Sequence, residues 1–529
     1  MLLPVTIVPM KPGFWLLFFP LSCAATLAAA QVGPVATVTG GRIRGLSTPD
    51  GGAAFKGIPY ARPPVGDLRW REPQPVAAWP GVTDTGAFRA ACTQLSEGWN
   101  IRYVPASAED CLYLNVAAPV WPPSAKLPVM VWIHGGSNTA GSGEAAGFDQ
   151  RTLVRRGLVL VTINYRLGAL GFLSHPALAR ESPHQASGNY GLMDQIAALR
   201  WVRDNIIAFG GDPDQVTVAG QSAGAMDVSL LMTSPPANGL FRRAIAESGA
   251  VSVFEGSRTR PAAEELGRKL AAELKLTDAD PIGQLRKVPP VEILEAARRA
   301  SGGCRTGLET SIDGWILPRP PAAVFAAGKD LGVPLLIGST AREIGGHEPA
   351  AKIRDEIREA YPGLAERALM LYGLAGTGEG KYDALYGGPG VQWPTDHVFR
   401  CPVVAEAVFH AAAGHATYQY GFDHAAPDRL ADQGGMGHSA ELSFVFGTWG
   451  AGVQLSPVDR KISEQMQAYW ANFARTGDPN GEGLPHWPGF QLKEREYMAF
   501  TDEGATVKSG LRQDFCELFI ENLQKRTDR

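Results

Sequence analysis

The sequence predicts an α/β protein in which a large, mostly parallel central sheet carries helices on both faces. Short runs of β-branched and apolar residues, of the kind that form strands buried on both faces, alternate with segments of helical periodicity. This alternation is typical of parallel sheets, because two parallel neighbours need a crossover, which is usually a helix. In such a sheet, functional groups are expected on loops at the carboxyl ends of the strands.

The predicted elements are spread over most of the chain. Short apolar runs predict strands at residues 129–133, 158–163, 216–218, 334–337 and 416–422. Apolar residues at helical spacing predict helices at residues 191–209 and 223–232. The glycine- and proline-rich residues 373–394 are interpreted as surface loops between helices, not as a linker. Residues 31–529 are therefore predicted to form a single domain.

The N-terminal residues are typical of a secretory signal peptide. Lys11 precedes a short apolar run, and small residues follow it up to Ala30, after which cleavage is expected. Residues 1–30 are predicted to be this signal, whether translation starts at Met1 or at Met10. A membrane anchor is less favoured, because the apolar run is shorter than the roughly 20 residues that a spanning helix needs. We therefore expect a secreted or periplasmic protein with no stable membrane span.

Composition and cysteine content narrow the function classes. The net charge of −4 comes from interspersed charges without a basic stripe, so nucleic acid is not expected as a partner. Export would permit disulfides. The cysteines beyond the predicted signal are Cys92, Cys111, Cys304, Cys401 and Cys516. An odd number leaves at least one of them without an intrachain partner. Cys23 weakly suggests a lipoprotein signal, which Pro20 disfavours.

Ser222 is predicted to be a catalytic nucleophile. It stands in Gly220-Gln221-Ser222-Ala223-Gly224, between a β-branched strand and a helix rich in Ala, Leu and Met. A G-x-S-x-G element in this context forms a nucleophile elbow, in which small neighbours permit a strained turn that presents the hydroxyl at the tip of the sheet. The N-terminus of the following helix can then direct N–H groups toward a developing oxyanion.

Several motifs in the right order resemble one known family. Residues 209–224 are similar to the serine signature of the type-B carboxylesterases, the cholinesterase-like branch of the α/β hydrolases. Residues 109–116 resemble the second signature of that family, from which Ala117 departs. Further landmarks of the family are matched at residues 55–60 and 164–168. The resemblance extends from about Val35 to the C-terminus. It implies an α/β-hydrolase fold and cleavage of small-molecule carboxylic esters, with no cofactor.

The catalytic base is expected to be a histidine that follows the nucleophile in the chain, because α/β hydrolases keep the order serine, acid, histidine. The candidates are His347, His397, His410, His415, His424, His438 and His486. His438 ends the glycine-rich run 434–438, whose backbone permits a close approach to a site. This run and the residues after it are similar to the histidine motif of the family, with Ser439 where glycine is common. His438 is therefore predicted to be the base.

The acid that orients the base is predicted to be Glu343. It lies on the loop just beyond the strand predicted at residues 334–337, and it matches the triad glutamate of the family. The alternative interpretation is a solvated loop carboxylate paired with Arg342. Asp313 and Asp396 are more distant candidates for the same role.

An oxyanion hole is expected from two segments. One is the N–H group just after the nucleophile, and the other is the loop 134–138, which follows the strand at 129–133. The candidate residues are Gly135, Gly136, Ser137 and Ala223. The family usually has a glycine where Ser137 stands, so the side chain of this serine changes the shape of the pocket. His134 is interpreted as structural.

Three further residues are predicted to lie around the triad, namely Gln221, Ser248 and Glu441. Ser248 and Glu441 are equally compatible with ordinary loop positions. The resemblance implies disulfides between Cys92 and Cys111 and between Cys401 and Cys516, which leaves Cys304 over.

No metal site is predicted. His410 and His415 are five residues apart, which does not place them on one helical face, and no carboxylate or cysteine is seen to complete a ligand set.

The substrate is expected to be a neutral or anionic ester. Relatives usually carry a glutamate before the nucleophile, and in cholinesterases it helps to hold a cationic substrate, whereas Gln221 is neutral. Trp99 has the wrong spacing from Cys111 to match the aromatic residue that binds quaternary ammonium. Choline esters are therefore disfavoured. An acyltransferase or a peptidase with the same triad, and a non-catalytic binding or adhesion protein on the same fold, are the alternatives.

Overall fold

The computed structural model describes residues 33–145, 148, 151–251, 258–276, 279–302, 310–346, 348–429 and 433–527. The predicted signal peptide, Cys304 and His347 lie outside the described residues. By their internal contacts, Pro34–Arg529 group into one compact unit.

A large sheet dominates the described residues. The strands are β1 (Val35–Val38), β2 (Gly41–Arg44), β3 (Leu46–Ser47), β4 (Ala53–Pro59), β5 (Val82–Asp84), β6 (Tyr113–Ala118), β7 (Leu127–Ile133), β8 (Val159–Ile163), β9 (Gly211–Gln221), β10 (Arg243–Glu247), β11 (Arg258–Thr259), β12 (Ser311–Ile312), β13 (Leu335–Thr340), β14 (Thr417–Phe422), β15 (Glu496–Thr501) and β16 (Gly504–Ser509). The large sheet has the order β16-β15-β14-β13-β10-β9-β7-β8-β6-β4-β3. Neighbours are parallel from β15 to β8 and antiparallel at both edges.

Helices follow most of the parallel strands. They are α1 (Gly168–Phe172), α2 (Pro176–Glu181), α3 (Tyr190–Asn205), α4 (Ala223–Met232), α5 (Arg260–Glu273), α6 (Pro281–Leu285), α7 (Pro290–Ala300), α8 (Pro321–Ala326), α9 (Ala350–Ala360), α10 (Ala365–Leu371), α11 (Pro389–Pro394), α12 (Cys401–Ala412), α13 (Leu442–Phe446), α14 (Pro457–Thr476) and α15 (Gln513–Thr527). A π-helical turn, Thr395–Arg400, leads into α12. Within the described ranges, no helix is both long enough and apolar enough to cross a membrane.

The sheet separates two hydrophobic cores. Along β7, Val129, Val131 and Ile133 pack into one core, whereas Met130 and Trp132 pack into the other. Successive side chains of a strand point to opposite faces, so a strand that is apolar throughout needs cover on both sides. Helices α3 and α4 contribute to the first core, and α13 and α14 contribute to the second. The predicted fold class is therefore confirmed.

The predicted elements differ from the structure mainly at their ends. The helix predicted to run to residue 209 ends at Asn205, where a 3₁₀ turn, Ile206–Phe209, continues to Gly210 in the left-handed conformation. The region 373–394 was predicted as loop, but it contains the short helix α11 at its end.

Candidate active site

The turn between β9 and α4 holds Ser222 in a strained conformation, with φ 58° and ψ −126°. Close packing requires glycine on both sides. A Cβ atom on Gly220 would lie 2.5 Å from the Gly224 backbone, and one on Gly224 would lie 2.2 Å from the Ile133 carbonyl oxygen. The Ser222 N–H donates to the Glu247 carbonyl at 2.8 Å, which ties the turn to β10. The hydroxyl is thus held at the carboxyl end of the sheet.

Glu343 and His438 meet at this same end of the sheet, on the loops that follow β13 and β14. The Nδ1 atom of His438 lies 2.5 Å from Glu343 Oε2, and the backbone N–H of His438 donates to the Glu343 carbonyl at 2.9 Å. The Thr340 N–H donates to Glu343 Oε1 at 2.7 Å, so both carboxylate oxygens are engaged. Arg342 instead donates to the carbonyl of Leu385. Glu343 is therefore a buried, oriented carboxylate and not a solvated partner of Arg342.

The charges of the pair stabilise each other. Burial alone would raise the pKa of the Glu343 carboxyl, but the charge and hydrogen bond of His438 lower it below its ordinary value. Burial alone would lower the pKa of the His438 imidazole, but the hydrogen bond and charge of Glu343 raise it. An imidazolium beside an ionised carboxylate is the state that such a pair stabilises when the histidine accepts a proton.

The other candidate acids and bases have different partners. Asp313 accepts the backbone N–H groups of a turn, from Trp315 and Leu317. Asp396 pairs with Arg400 and Arg512. His397 stacks on Trp393, and His424 lies between Asp459 and Asp502. His486 is exposed.

Two further buried carboxyl groups stand near the pair without touching the His438 ring. Ser248 donates from Oγ to Glu441 Oε1 at 3.0 Å, and the Trp470 indole donates to Glu247 Oε1 at 2.7 Å. Burial and the charges of neighbouring carboxylates raise the pKa of Glu441 to about 8, and burial raises that of Glu247 to about 8. Burial therefore favours the protonated form of both groups, whereas the contact with His438 favours the charged form of Glu343.

The predicted oxyanion loop passes directly over the nucleophile. A Cβ atom on Gly135 would lie 2.9 Å from the Ser222 Cβ, so only glycine permits this approach. Gly136 and Ser137 have positive φ values of 115° and 55°, the second at a residue that carries a side chain. Among the described residues, the N–H groups of Gly136, Ser137 and Ala223 find no acceptor. Three free donors near Ser222 are what an oxyanion hole requires.

A buried polar network that was not expected from the sequence holds the loop 134–138 in place through Asn138. Asn138 donates to Asp227 Oδ1 at 3.0 Å and accepts from the Tyr165 hydroxyl at 2.8 Å, and Gln195 donates to Asp227 Oδ2 at 2.5 Å. Burial raises the pKa of Asp227 to about 7. His134, whose pKa burial lowers to about 4, lies with Nδ1 2.8 Å from the Gly135 carbonyl. A lone aspartate in the apolar helix α4 was the signal in the sequence for this network.

Gln221 contacts His438 directly. Its Nε2 atom lies 3.2 Å from His438 Nε2, the nitrogen predicted to accept a proton from Ser222. Within the described ranges, no hydrogen bond joins the Ser222 hydroxyl to His438. Catalytic hydrogen bonds are often long before substrate binds and tighten afterwards. In this structure, the hydrogen-bond partner of His438 Nε2 is therefore the Gln221 amide.

The two disulfides are the ones that the resemblance implies. Disulfides join Cys92 to Cys111 and Cys401 to Cys516. Trp99, in the loop closed by the first disulfide, is 56% exposed and packs against Gly136, at 3.1 Å from the position of a Cβ atom there.

The expectation that no carboxylate stands beside His410 and His415 is wrong. A carboxylate does accompany the two histidines, because Asp330 Oδ2 lies 2.9 Å from His410 Nδ1 and 3.7 Å from His415 Nδ1. This cluster lies at the end of the sheet opposite to Ser222, at the start of β13 and β14.

Known proteins are similar to this chain over most of its length. The sequence profile of the Carboxylesterase family matches residues 32–366 and 388–519. The chain is 36% identical to the para-nitrobenzyl esterase of Bacillus subtilis (strain 168), over 89% of this chain and 95% of that protein. It is 34% identical to liver carboxylesterase 1F of Rattus norvegicus, over 90% and 91%, and 33% identical to fumonisin B1 esterase of Sphingopyxis macrogoltabida, over 86% and 84%. A solved structure of PNB esterase aligns with a TM-score of 0.80 at 32% identity, over 92% of this chain and 99% of that one.

Proposed function

The chain belongs to the carboxylesterase family and is a carboxylic-ester hydrolase, and we propose that it is a secreted enzyme that cleaves neutral or anionic esters through an acyl-enzyme on Ser222. The observation that supports this proposal is the 2.5 Å contact between Glu343 and His438 beside a strained serine. We assign Ser222 as nucleophile, His438 as general base and acid, and Glu343 as the group that orients the imidazole.

In the first half-reaction, Ser222 Oγ attacks the ester carbonyl while His438 Nε2 accepts its proton. The Nδ1–H of His438 donates to Glu343, which leaves Nε2 as the basic nitrogen. For this step, the Gln221 amide has to yield its place at Nε2 to the serine hydroxyl. The N–H groups of Gly136, Ser137 and Ala223 stabilise the oxyanion, and each such donor is typically worth about 10²–10³ in rate.

The first half-reaction ends when the proton on His438 passes to the departing alkoxide, and the alcohol leaves an acyl group on Ser222. In the second half-reaction, water gives a proton to His438 and attacks the acyl carbonyl, and a second oxyanion forms at the same N–H groups. Its collapse releases the carboxylic acid and returns the proton to Ser222. The products are one alcohol and one acid for each water consumed.

The proposed preference for uncharged or anionic esters depends on the surroundings of Ser222. The neutral Gln221 replaces a carboxylate beside the nucleophile, and burial disfavours the charged forms of Glu441 and Glu247. A cationic alcohol group therefore finds little negative charge to hold it. Two relatives are named for a para-nitrobenzyl ester and for fumonisin B1, and we propose that the substrates of this enzyme belong to the same broad class of carboxylic esters.

The proposed secretion is supported by two disulfides, because such bonds persist in oxidising compartments. Signal cleavage after Ala30 is part of the proposal. N-terminal sequencing of the protein recovered from the periplasm or the medium tests it, and a chain that keeps residues 1–30 would contradict it.

Hydrolysis of a para-nitrophenyl ester series by the wild type and by Ser222→Ala tests the assignment. The series is extended to choline and tricarboxylate esters, and Ser509→Ala, an exposed serine on the edge strand β16, is the matched control. We expect Ser222→Ala to lose at least about 10⁴-fold in kcat and the control to keep its activity. Turnover that survives Ser222→Ala would refute the triad assignment.

The same assay separates the alternative activities. Transfer of the acyl group to an added alcohol in preference to water would indicate an acyltransferase. Cleavage of para-nitroanilides without a preference for esters would indicate a peptidase. Absence of turnover on every ester would favour a binding protein.

A further inference from the structure

We propose that Asp330, His410 and His415 form a binding site for one divalent cation of the zinc class, remote from the ester-hydrolysing site. Asp330 lies between α8 and β13, His410 lies in the last turn of α12, and His415 follows that helix just before β14. The three residues converge because β13 and β14 are parallel neighbours that begin side by side, with Leu335 paired to Thr417.

The ligand atoms are spaced as a metal site requires. One ligand atom from each residue lies within 4.8 Å of the others, and the two measured carboxylate-to-imidazole distances are 2.9 Å and 3.7 Å. A tetrahedral zinc ion with bonds of about 2.0–2.1 Å separates its ligand atoms by roughly 3.3 Å. The two carboxylate-to-imidazole distances bracket this value. The two imidazole nitrogens, which lie no more than 4.8 Å apart, would have to approach by up to about 1.5 Å, and rotation of the His415 side chain would bring them together.

Two buried atoms of this cluster have no hydrogen-bond partner. Among the described residues, these are His415 Nδ1 and Asp330 Oδ1, the carboxylate oxygen beside the one that faces the imidazoles. The Asp330 side chain is fully buried, and a buried carboxylate oxygen without a partner is costly. A cation bound to His415 Nδ1 and to Asp330 would give the imidazole nitrogen a partner and would compensate the charge of the carboxylate.

The remaining contacts orient the ligands in the way that metal sites commonly use. His410 Nε2 lies 3.0 Å from the Val333 carbonyl and donates to it, which turns Nδ1 toward Asp330 Oδ2 at 2.9 Å, where a cation would replace the proton shared by the two atoms. Asp330 Oδ2 accepts the Gly332 N–H at 3.1 Å, which fixes the carboxylate plane. Gly332 also permits the His415 ring to approach, since a Cβ atom there would lie 2.8 Å from Nε2. Outer contacts of this kind, above all from imidazole to a backbone carbonyl, raise metal affinity.

Two imidazoles and one carboxylate favour zinc and similar first-row cations over calcium or magnesium, which prefer oxygen ligands throughout. The His415 side chain is 25% exposed, so a solvent molecule can complete the fourth position. The site lies at the amino end of β13, whereas Glu343 follows its carboxyl end. Six strand residues separate the two ends by about 20 Å, so we infer a stabilising role and not a catalytic one.

Zinc titration of the chelator-treated, purified full enzyme tests this site. By isothermal calorimetry, we expect one Zn²⁺ per chain in the wild type and an affinity at least about tenfold weaker in His415→Ala. His486→Ala, which removes an exposed histidine elsewhere, is the matched control and keeps the wild-type affinity. At one hundred times its dissociation constant, Zn²⁺ is expected to raise the melting temperature of the wild type by about 2–3 °C.

The visible absorption spectrum of Co²⁺ added to the wild type tests the site even if His415→Ala does not fold. The spectrum depends on the ligands of the ion, and a strong absorption of the tetrahedral type would support the site. The weak spectrum of fully hydrated Co²⁺ would overturn it. Equal loss of Zn²⁺ affinity in the His415→Ala and His486→Ala variants, or the absence of saturable binding in the wild type, would also overturn it.

Discussion

Replacing Glu343 by glutamine removes one negative charge and changes little else. The glutamine carbonyl oxygen can still accept the Thr340 N–H that now reaches Oε1 at 2.7 Å. Its NH₂ group then faces His438 Nδ1, where the carboxylate oxygen lies at 2.5 Å in the wild type. An NH₂ group can only donate, so it selects the imidazole tautomer with its proton on Nε2. That tautomer cannot accept the proton of Ser222.

The size of the effect follows from the lost attraction. A nitrogen-to-oxygen distance of 2.5 Å places the centres of the two charges roughly 4 Å apart. Unit charges at this distance attract by about 4 kcal/mol at an effective dielectric constant of about 20. Because about 1.4 kcal/mol corresponds to a factor of ten in rate, we expect Glu343→Gln to lower kcat by about 10³-fold. Loss of the correct tautomer acts in the same direction.

The assay is the pH dependence of kcat/KM on a neutral para-nitrophenyl ester. Glu343 raises the pKa of His438, and the histidine acts as a base only when neutral. The residual activity of Glu343→Gln should therefore persist to lower pH than that of the wild type. Glu441→Gln is the matched control, because this equally buried carboxyl accepts a hydrogen bond from Ser248 instead of contacting His438, and its burial favours the uncharged form. We expect it to cost less than about tenfold.

A kcat of Glu343→Gln within tenfold of the wild-type value, with an unchanged circular dichroism spectrum and melting curve, would contradict the proposed role of Glu343. A loss as large in Glu441→Gln would refute it too, because it would show that the rate depends on the buried carboxyls as a group and not on the contact with His438.

Three further predictions concern charge, pKa and covalent constraint. Burial raises the pKa of Glu406 to about 8, so its carboxyl group binds a proton more tightly in the folded chain than in the unfolded chain. The free energy of unfolding therefore decreases as the pH rises from the ordinary carboxyl pKa to about 8. Glu406→Gln should remove this decrease, and its melting temperature should fall less than that of the wild type between about pH 6 and pH 8. Replacing Cys401 and Cys516 by alanine opens a loop with a sequence separation of 115. From the chain entropy that this disulfide removes from the unfolded state, we expect the free energy of unfolding to fall by about 5 kcal/mol, as measured by guanidinium denaturation. Gln221→Glu places a carboxyl group beside His438 Nε2, so the acid limb of kcat/KM should move to higher pH.

Each of these predictions can fail in a distinct way. Parallel melting curves for the wild type and Glu406→Gln across this pH range would show that the group does not change its proton affinity on folding. An unchanged denaturation midpoint without the Cys401–Cys516 bond would show that packing, not the cross-link, holds the C-terminal helix. An unmoved acid limb in Gln221→Glu would show that residue 221 does not influence the base.

The sequence alone was sufficient for the fold class and for the position of Ser222, because both depend on local patterns. Apolar runs of strand length report burial on both faces, and the glycines around Ser222 report a turn that excludes any Cβ atom. Residues Glu343 and His438 followed from motifs near strand ends, where the order of a parallel sheet brings loops together. The structure brings both to the end of the sheet that carries Ser222.

Only the tertiary structure decided which distant polar groups meet. The contact of Gln221 with His438, the link from Asn138 to Asp227, and the approach of Asp330 to His410 each join residues 80 or more positions apart. Their pairing depends on which strands are neighbours and where each strand begins, and neither is encoded in a local window. Sequence spacing therefore identifies the strand–turn–helix that carries Ser222, whereas the partners of a buried charge are determined by the packing of the whole sheet.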